Sequence, residues 1–198
     1  MSGDLREKIL ELAIKVIDES GEQAIRTNAL AIEAGTTPPT LYHYFHSREG
    51  LIEEAQVERF VRSISVDIDI LVTQLKKAKA KDELLRDIGE LFARRDSAER
   101  ALLRWRRVNA VGATFARPSL ARRIAEAHNE LITRAALALT PFQRQGIIRQ
   151  DIDLRAVVAW YNGAVMSKAL VSLPGSDVDE EQWERTMNEA VLHILFAD

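Results

Sequence analysis

The chain has no cysteine in its 198 residues, which excludes a disulfide framework and any thiolate metal site. It also lacks a long hydrophobic run. None approaches the roughly 20 apolar residues that span a bilayer, and the charged N-terminus has no signal-peptide core. The absence of an export signal points to the cytoplasm, and no membrane partner is expected. Histidine is scarce: His43 and His46 are three apart, and His128 and His193 are isolated. None belongs to an HExxH pattern or to a carboxylate cluster at ligand spacing, and no phosphate loop or nucleophile elbow occurs. Enzyme chemistry, a metal and a cofactor are therefore not expected. Strand patterning is missing too, since no convincing run alternates apolar with polar residues.

What is present is a helical pattern with enough apolar content, 46%, to build a sizeable core. Ile9, Leu12, Ala13, Val16 and Ile17 recur at helical spacing, predicting a helix over about 4–20 that Gly21 stops. Thr27 is the expected N-cap of a short helix ending at Ala34-Gly35. Ser47 is the expected cap of a long helix to about Ala78. Further helices are expected near 82–95, 97–114, 118–139, 153–173 and 178–197, the last with Asp177 and Glu180 at capping-box spacing. The fold class is all-α, with about nine helices. It comprises an N-terminal three-helix helix-turn-helix domain over 1–47 and a larger helical domain over 48–198.

Charge is unevenly spread over a net −3. Residues 76–150 carry 17 Lys and Arg against 8 acids, while residues 151–198 carry 3 against 9. The first fifty residues hold 5 basic and 8 acidic side chains, which counts against the basic patch usual in a nucleic-acid binder.

Two of the five prolines are adjacent, in "TPPTLYHYF" at residues 37–45. Thr37 offers an oxygen to an early helical N–H. Pro38 and Pro39 fall in the first turn, where N–H groups lack intrahelical partners and a fixed φ favours initiation. The prolines thus start a helix of about 38–44, joined to the preceding one by Gly35-Thr36-Thr37. A three-residue glycine turn between short helices is a helix-turn-helix signature. The second helix of such a unit reads the major groove. Leu41 and Phe45 would hold it on the core, with Thr37, Pro39, Thr40 and His43 outward and the Tyr42 hydroxyl available to phosphate.

Residues 9–55, "ILELAIKVIDESGEQAIRTNALAIEAGTTPPTLYHYFHSREGLIEEA", resemble the tetracycline-repressor (TetR) family of bacterial transcription regulators. The likeness is carried by Gly35, Leu41, Tyr42, Phe45 and Leu51. "GIIRQDID", 146–153, looks like that family's approach to its eighth helix. The resemblance implies that Thr27 caps the second helix beside a phosphate. It further implies that Thr37, Pro39, Thr40 and His43 face bases, and that Tyr42, Ser47 and Arg48 hold the DNA backbone. Arg48 stands where the family often has lysine, and Tyr44 where it commonly has histidine. Because the reading helix has no Lys or Arg, a bidentate guanine contact would have to come from Asn28, Arg26 or elsewhere.

Double-stranded operator DNA, a second copy of the chain and a small-molecule effector are the partners this family implies. The dimer residues are expected on the last two helices: Val158, Tyr161 and Val165, with Trp183, Met187, Val191, Ile194 and Leu195. An ordinary monomeric core is the other reading of that stripe. Effector candidates are His128 and Asn109, which interrupt apolar faces, with Phe92, Trp105, Phe115, Tyr161 and Met166 as walls. Such residues are more often plain or satisfied core. "RWRR", 104–107, suits either an anionic ligand or a solvated face. The expected protein is a ligand-responsive repressor that binds a palindromic operator; its rival is a helical interaction module that has lost DNA binding.

Overall fold

The structure is a computed structural model that describes residues 2–76, 80–93 and 98–196. Its described residues form nine α-helices and no strand: α1 (Ser2–Ser20), α2 (Thr27–Ala34), α3 (Pro38–Phe45), α4 (Arg48–Leu75), α5 (Lys81–Ala93), α6 (Ala98–Gly112), α7 (Pro118–Arg144), α8 (Leu154–Val171) and α9 (Glu180–Phe196). A single 3-10 turn at Glu22–Ala24 precedes α2. Among the described residues no helix is long and apolar enough to cross a membrane.

The chain falls into two compact units. One comprises Met1–Phe60 with Ala110–Ile124, the other Val61–Asn109 with Ala125–Asp198. The expected boundary is 47/48; the division into compact units falls inside α4, and the α6–α7 corner belongs with the N-terminal unit. Ion pairs explain the second shift: Arg117 grips Glu22 through two bonds of 2.9 and 2.6 Å, and Arg123 reaches Glu54 at 2.6 Å.

In the first unit, one apolar cluster gathers Ile9, Ala13 and Ile17 of α1, Leu30 and Ala31 of α2, Leu41 and Phe45 of α3, and Leu51 and Ala55 of α4. Full burial of a leucine such as Leu41 contributes about 1.5–3 kcal/mol, enough to fix the orientation of an eight-residue helix. In the second unit the core joins Leu84 and Ile88 of α5, Leu139 and Phe142 of α7, Leu154 of α8, and Val191 and Leu195 of α9.

Several helix ends differ from expectation for local reasons. Arg26, not Thr27, occupies the N-cap of α2, and Thr27 is its first helical residue. Helix α7 runs past the expected stop at 139 through Pro141 to Arg144. The i−4 carbonyl that proline leaves without a donor belongs to Leu137, on a face where Leu137 and Pro141 are both exposed, while buried Phe142 anchors the last turn. Asp179, two residues beyond Asp177, caps α9 by accepting from Gln182 N at 2.9 Å. Asp153 caps α8 through Arg155 N and Ala156 N.

Candidate DNA interface and buried cavity

Helix α3 begins with Pro38 and Pro39 at its first two positions, after a Thr37 held in extended backbone. The Thr37 hydroxyl bonds the Thr40 hydroxyl at 3.0 Å rather than capping an N–H. Gly35 ends α2 in the left-handed region, φ 76°, which glycine tolerates without steric cost. Its N–H and that of Thr36 donate to carbonyls of the last α2 turn, at 3.0 Å to Ile32 and 2.8 Å to Ala31. That chain reversal turns Leu41 and Phe45 into the core. Thr37, Pro39, Tyr42 and His43 are left exposed, and Thr40 half-buried. Tyr42 shares a 3.0 Å hydrogen bond with Thr27, so the start of α2 and the outer face of α3 are tied at one point. Asn28, next to that contact in sequence, is exposed.

The α3–α4 turn is tight. His46 ends α3 at φ 64°, the one non-glycine positive φ among the described residues. Ser47 accepts from Gly50 N at 2.9 Å and so caps α4 as expected. Arg48 bonds within the protein. Its Nε donates to the Ile25 carbonyl at 3.2 Å and a terminal nitrogen to the Glu22 carbonyl at 2.9 Å. Arg26 likewise folds onto the carbonyls of Gln23 and Ile25, Lys8 onto that of Ala34, and Arg6 onto Glu54 and the Phe45 ring. The cations nearest α3 thus serve the fold, and the reading face is neutral and hydroxyl-rich.

Electrostatics lock the base of this unit. Burial would raise the carboxyl of Glu22, but Arg117, Gln56 and Arg59 together hold it below the usual carboxylate range. Glu54 behaves alike, burial being outweighed by Arg123 and Arg6.

The second unit contains a cavity of about 80 Å³. Its walls are Ile64, Ile68 and Leu71 of α4, Ile88 and Leu91 of α5, Ala135 and Leu139 of α7, Val157, Val158 and Val165 of α8, and Val191 and Leu195 of α9. Among the described residues, polar side chains line it at Asp67, Arg107, Tyr161 and Asn162. Of the seven side chains expected around an effector, Tyr161 lines this cavity. Trp105 and Asn109 are exposed instead, Phe115 is 98% exposed in the other unit, and His128 and Met166 are half-buried outside the lining. Phe92's side chain lies outside the described residues. Burial foremost, and then Arg107, push the His128 imidazole down from its ordinary value.

Helix α6 is turned inside out relative to its sequence pattern. Leu102 and Trp105 are exposed, while Arg104 and Arg107 are buried. Sequence reasoning therefore missed Arg107, and the signal was there only as the unassigned "RWRR".

The expected dimer stripe divides between two faces. Val158, Tyr161, Val165, Val191 and Leu195 line the cavity, whereas Trp183 and Met187 border a surface groove with Trp160, Ala164, Ser167 and Val178. Ile194 is half-buried. Trp160, Leu170, Leu173 and Val178 add a large exposed apolar surface to α8 and the segment after it. One residue of α8 turns about 100° from the next, so an all-round apolar helix serves both faces and its sequence cannot separate them.

Two short helices around a glycine turn, the second pinned on one face and bare on the other, define a helix-turn-helix DNA-binding protein. Residues 9–55 match the model of the bacterial regulatory proteins, tetR family. Residues 9–55 are thus a helix-turn-helix domain of the TetR type. No curated protein matches its sequence significantly. The whole fold is shared with solved structures. A regulator from Mesorhizobium loti MAFF303099 assigned to the TetR family is 19% identical with a TM-score of 0.72, covering 100% of this chain and 99% of that one. Another so assigned, from Rhodococcus sp., is 21% identical with a TM-score of 0.69, covering 98% and 99%. The flavonoid-responsive regulator FrrA is 22% identical with a TM-score of 0.66, covering 98% of each.

Proposed function

We propose that the protein is a homodimeric, ligand-responsive repressor that acts in the cytoplasm on a palindromic operator. The observation that carries DNA reading is the bare face of α3. Thr37, Pro39, Thr40, Tyr42 and His43 are presented by a helix whose opposite side is fully buried. Threonine hydroxyls and methyls suit base edges, and the close backbone at Pro39 suits a groove wall. Thr27 and Asn28 at the start of α2, with Ser47 and the N-terminus of α4, are the phosphate-facing groups of this reading. Arg48 contributes by holding that N-terminus in place.

Dimerisation uses the exposed groove side of α8 and α9, centred on Trp160 and Trp183. Large apolar surface in one patch is the mark of a partner site, and a two-fold pairing yields the two reading heads a palindrome needs. The apolar cavity is the effector site, consistent with a structural relative whose name records a response to flavonoids. Ile64, Ile68 and Leu71 bring α4 to the cavity wall, and α4 runs without a break back to Arg48. An effector that binds one setting of α4 more tightly shifts the population toward it, by no more than that difference in affinity.

The test is a gel-shift titration against DNA flanking the protein's own gene. The wild type retards that DNA, less so as salt rises, and Thr40→Ala/Tyr42→Ala weakens binding by about tenfold or more with an unchanged melting curve. A helical interaction module that does not bind DNA would be indifferent to the double substitution. Failure to bind any flanking DNA at low salt would sink the proposal.

A further inference from the structure

We propose that the effector is a compact apolar acid, its hydrocarbon body in the cavity and its carboxylate on Arg107. The proposal rests on reading the cavity as the effector site and names the chemistry that site selects.

Arg107 is 3% exposed and lines both the apolar cavity and a smaller hollow beside it, shared with Arg100 and Arg104. Its Nε and one terminal nitrogen donate to the hydroxyl and carbonyl of Ser63, which leaves its other terminal nitrogen for a ligand. Among the described residues no carboxylate lies within ion-pair distance of it. Asp67, on the same wall, is taken by Arg100 at 2.5 Å. Burial first, and then Arg100 and Arg104, lower the guanidinium to about 10 against the pull of Asp67, so it stays charged at neutral pH.

A buried cation without an ion-pair partner is costly and invites an anion. A carboxylate meets it with short charge-assisted bonds. Beyond Arg107 the wall turns aliphatic, with Leu71, Leu139, Val157 and Leu195, so the rest of the ligand must be hydrocarbon. A volume of about 80 Å³ is several times the roughly 10–15 Å³ one water needs and suits a small body.

Three probes with the same four-carbon body separate the possibilities: butanoate, butanol and butylammonium, titrated calorimetrically into the full chain. Butanoate is expected to bind about tenfold or more tighter than butanol. Arg107→Met should erase that preference and Arg107→Lys keep part of it. Leu139→Phe, which fills the cavity, should weaken all binding. Equal affinity for acid and alcohol, preference for the amine, or butanoate binding untouched by Arg107→Met would overturn the carboxylate assignment while leaving the cavity as effector site. Butanoate binding untouched by Leu139→Phe would overturn it as well, by placing the acid elsewhere. If none of the three binds, both the assignment and the effector reading of the cavity fall. Should Arg107→Met not fold, the acid–alcohol comparison in the wild type decides the question.

Discussion

At Gly50 a single hydrogen decides whether α3 and α4 can meet. A Cβ built there would lie 2.1 Å from the carbonyl oxygen of Phe45, far inside contact distance. Inside a helix, alanine ordinarily improves on glycine by roughly 0.5–1 kcal/mol. Here Gly50→Ala is expected to destabilise the N-terminal unit by about 1–3 kcal/mol, the usual cost of forcing atoms into filled space. Urea denaturation followed by circular dichroism reads this, and a stabilised variant would refute it. The sequence placed Gly50 within a family motif but could not say why it is glycine, because the clashing carbonyl belongs to the preceding helix. Arg48 teaches the same lesson. Its charge and position suggest a phosphate contact; two of its N–H groups also donate to backbone carbonyls, and only the folded loop brings those within reach.

At the scale of elements, the α6–α7 corner acts as a strap on the reading head. Arg117 and Arg123 hold Glu22 and Glu54, whose carboxyls lie below their usual range despite burial. A depressed carboxyl contributes stability that is complete above its unfolded value of about 4.5 and is lost as pH falls through the lower folded value. Arg117→Ala should therefore cost on the order of 1 kcal/mol near neutral pH, a figure held down by the partial exposure of the pair. The difference from wild type should vanish as the medium is acidified below the carboxyl range. Thermal melts across that range test it, and a gap that persists in acid would point to lost packing instead. Helix positions were legible from local signals, since α1 buries Ile9, Ala13 and Ile17 of its periodic stripe and α3 buries Leu41 and Phe45. Helix α6 was not. Arg107 lies inside because the hydroxyl and carbonyl of Ser63 accept from it there, and no pattern of hydrophobicity contains that information.

For the whole molecule, the expected assembly is a dimer built on the Trp160–Trp183 face. Trp160→Glu should convert the species to a monomer in light scattering, since buried tryptophans at interfaces are commonly worth about 2 kcal/mol or more and a carboxylate there would lie unpaired. Operator affinity should fall with it, because each half-site is read by a neutral helix that gains from being bound in pairs. A variant that remains dimeric would move the interface elsewhere.

Local sequence suffices for the helices, the glycine turn and the start of α3 at its pair of prolines. These follow from backbone sterics and from one-helix periodicity, which need no distant neighbour. Tertiary structure alone decided which face of an all-apolar α8 lines the cavity and which meets solvent. It also turned the arginines of α6 inward, and it showed that the cations nearest the reading helix are committed to the protein. Many of those outcomes depend on partners distant in sequence, such as Ser63 with Arg107 and Glu22 with Arg48, and such pairings exist only once the chain has folded.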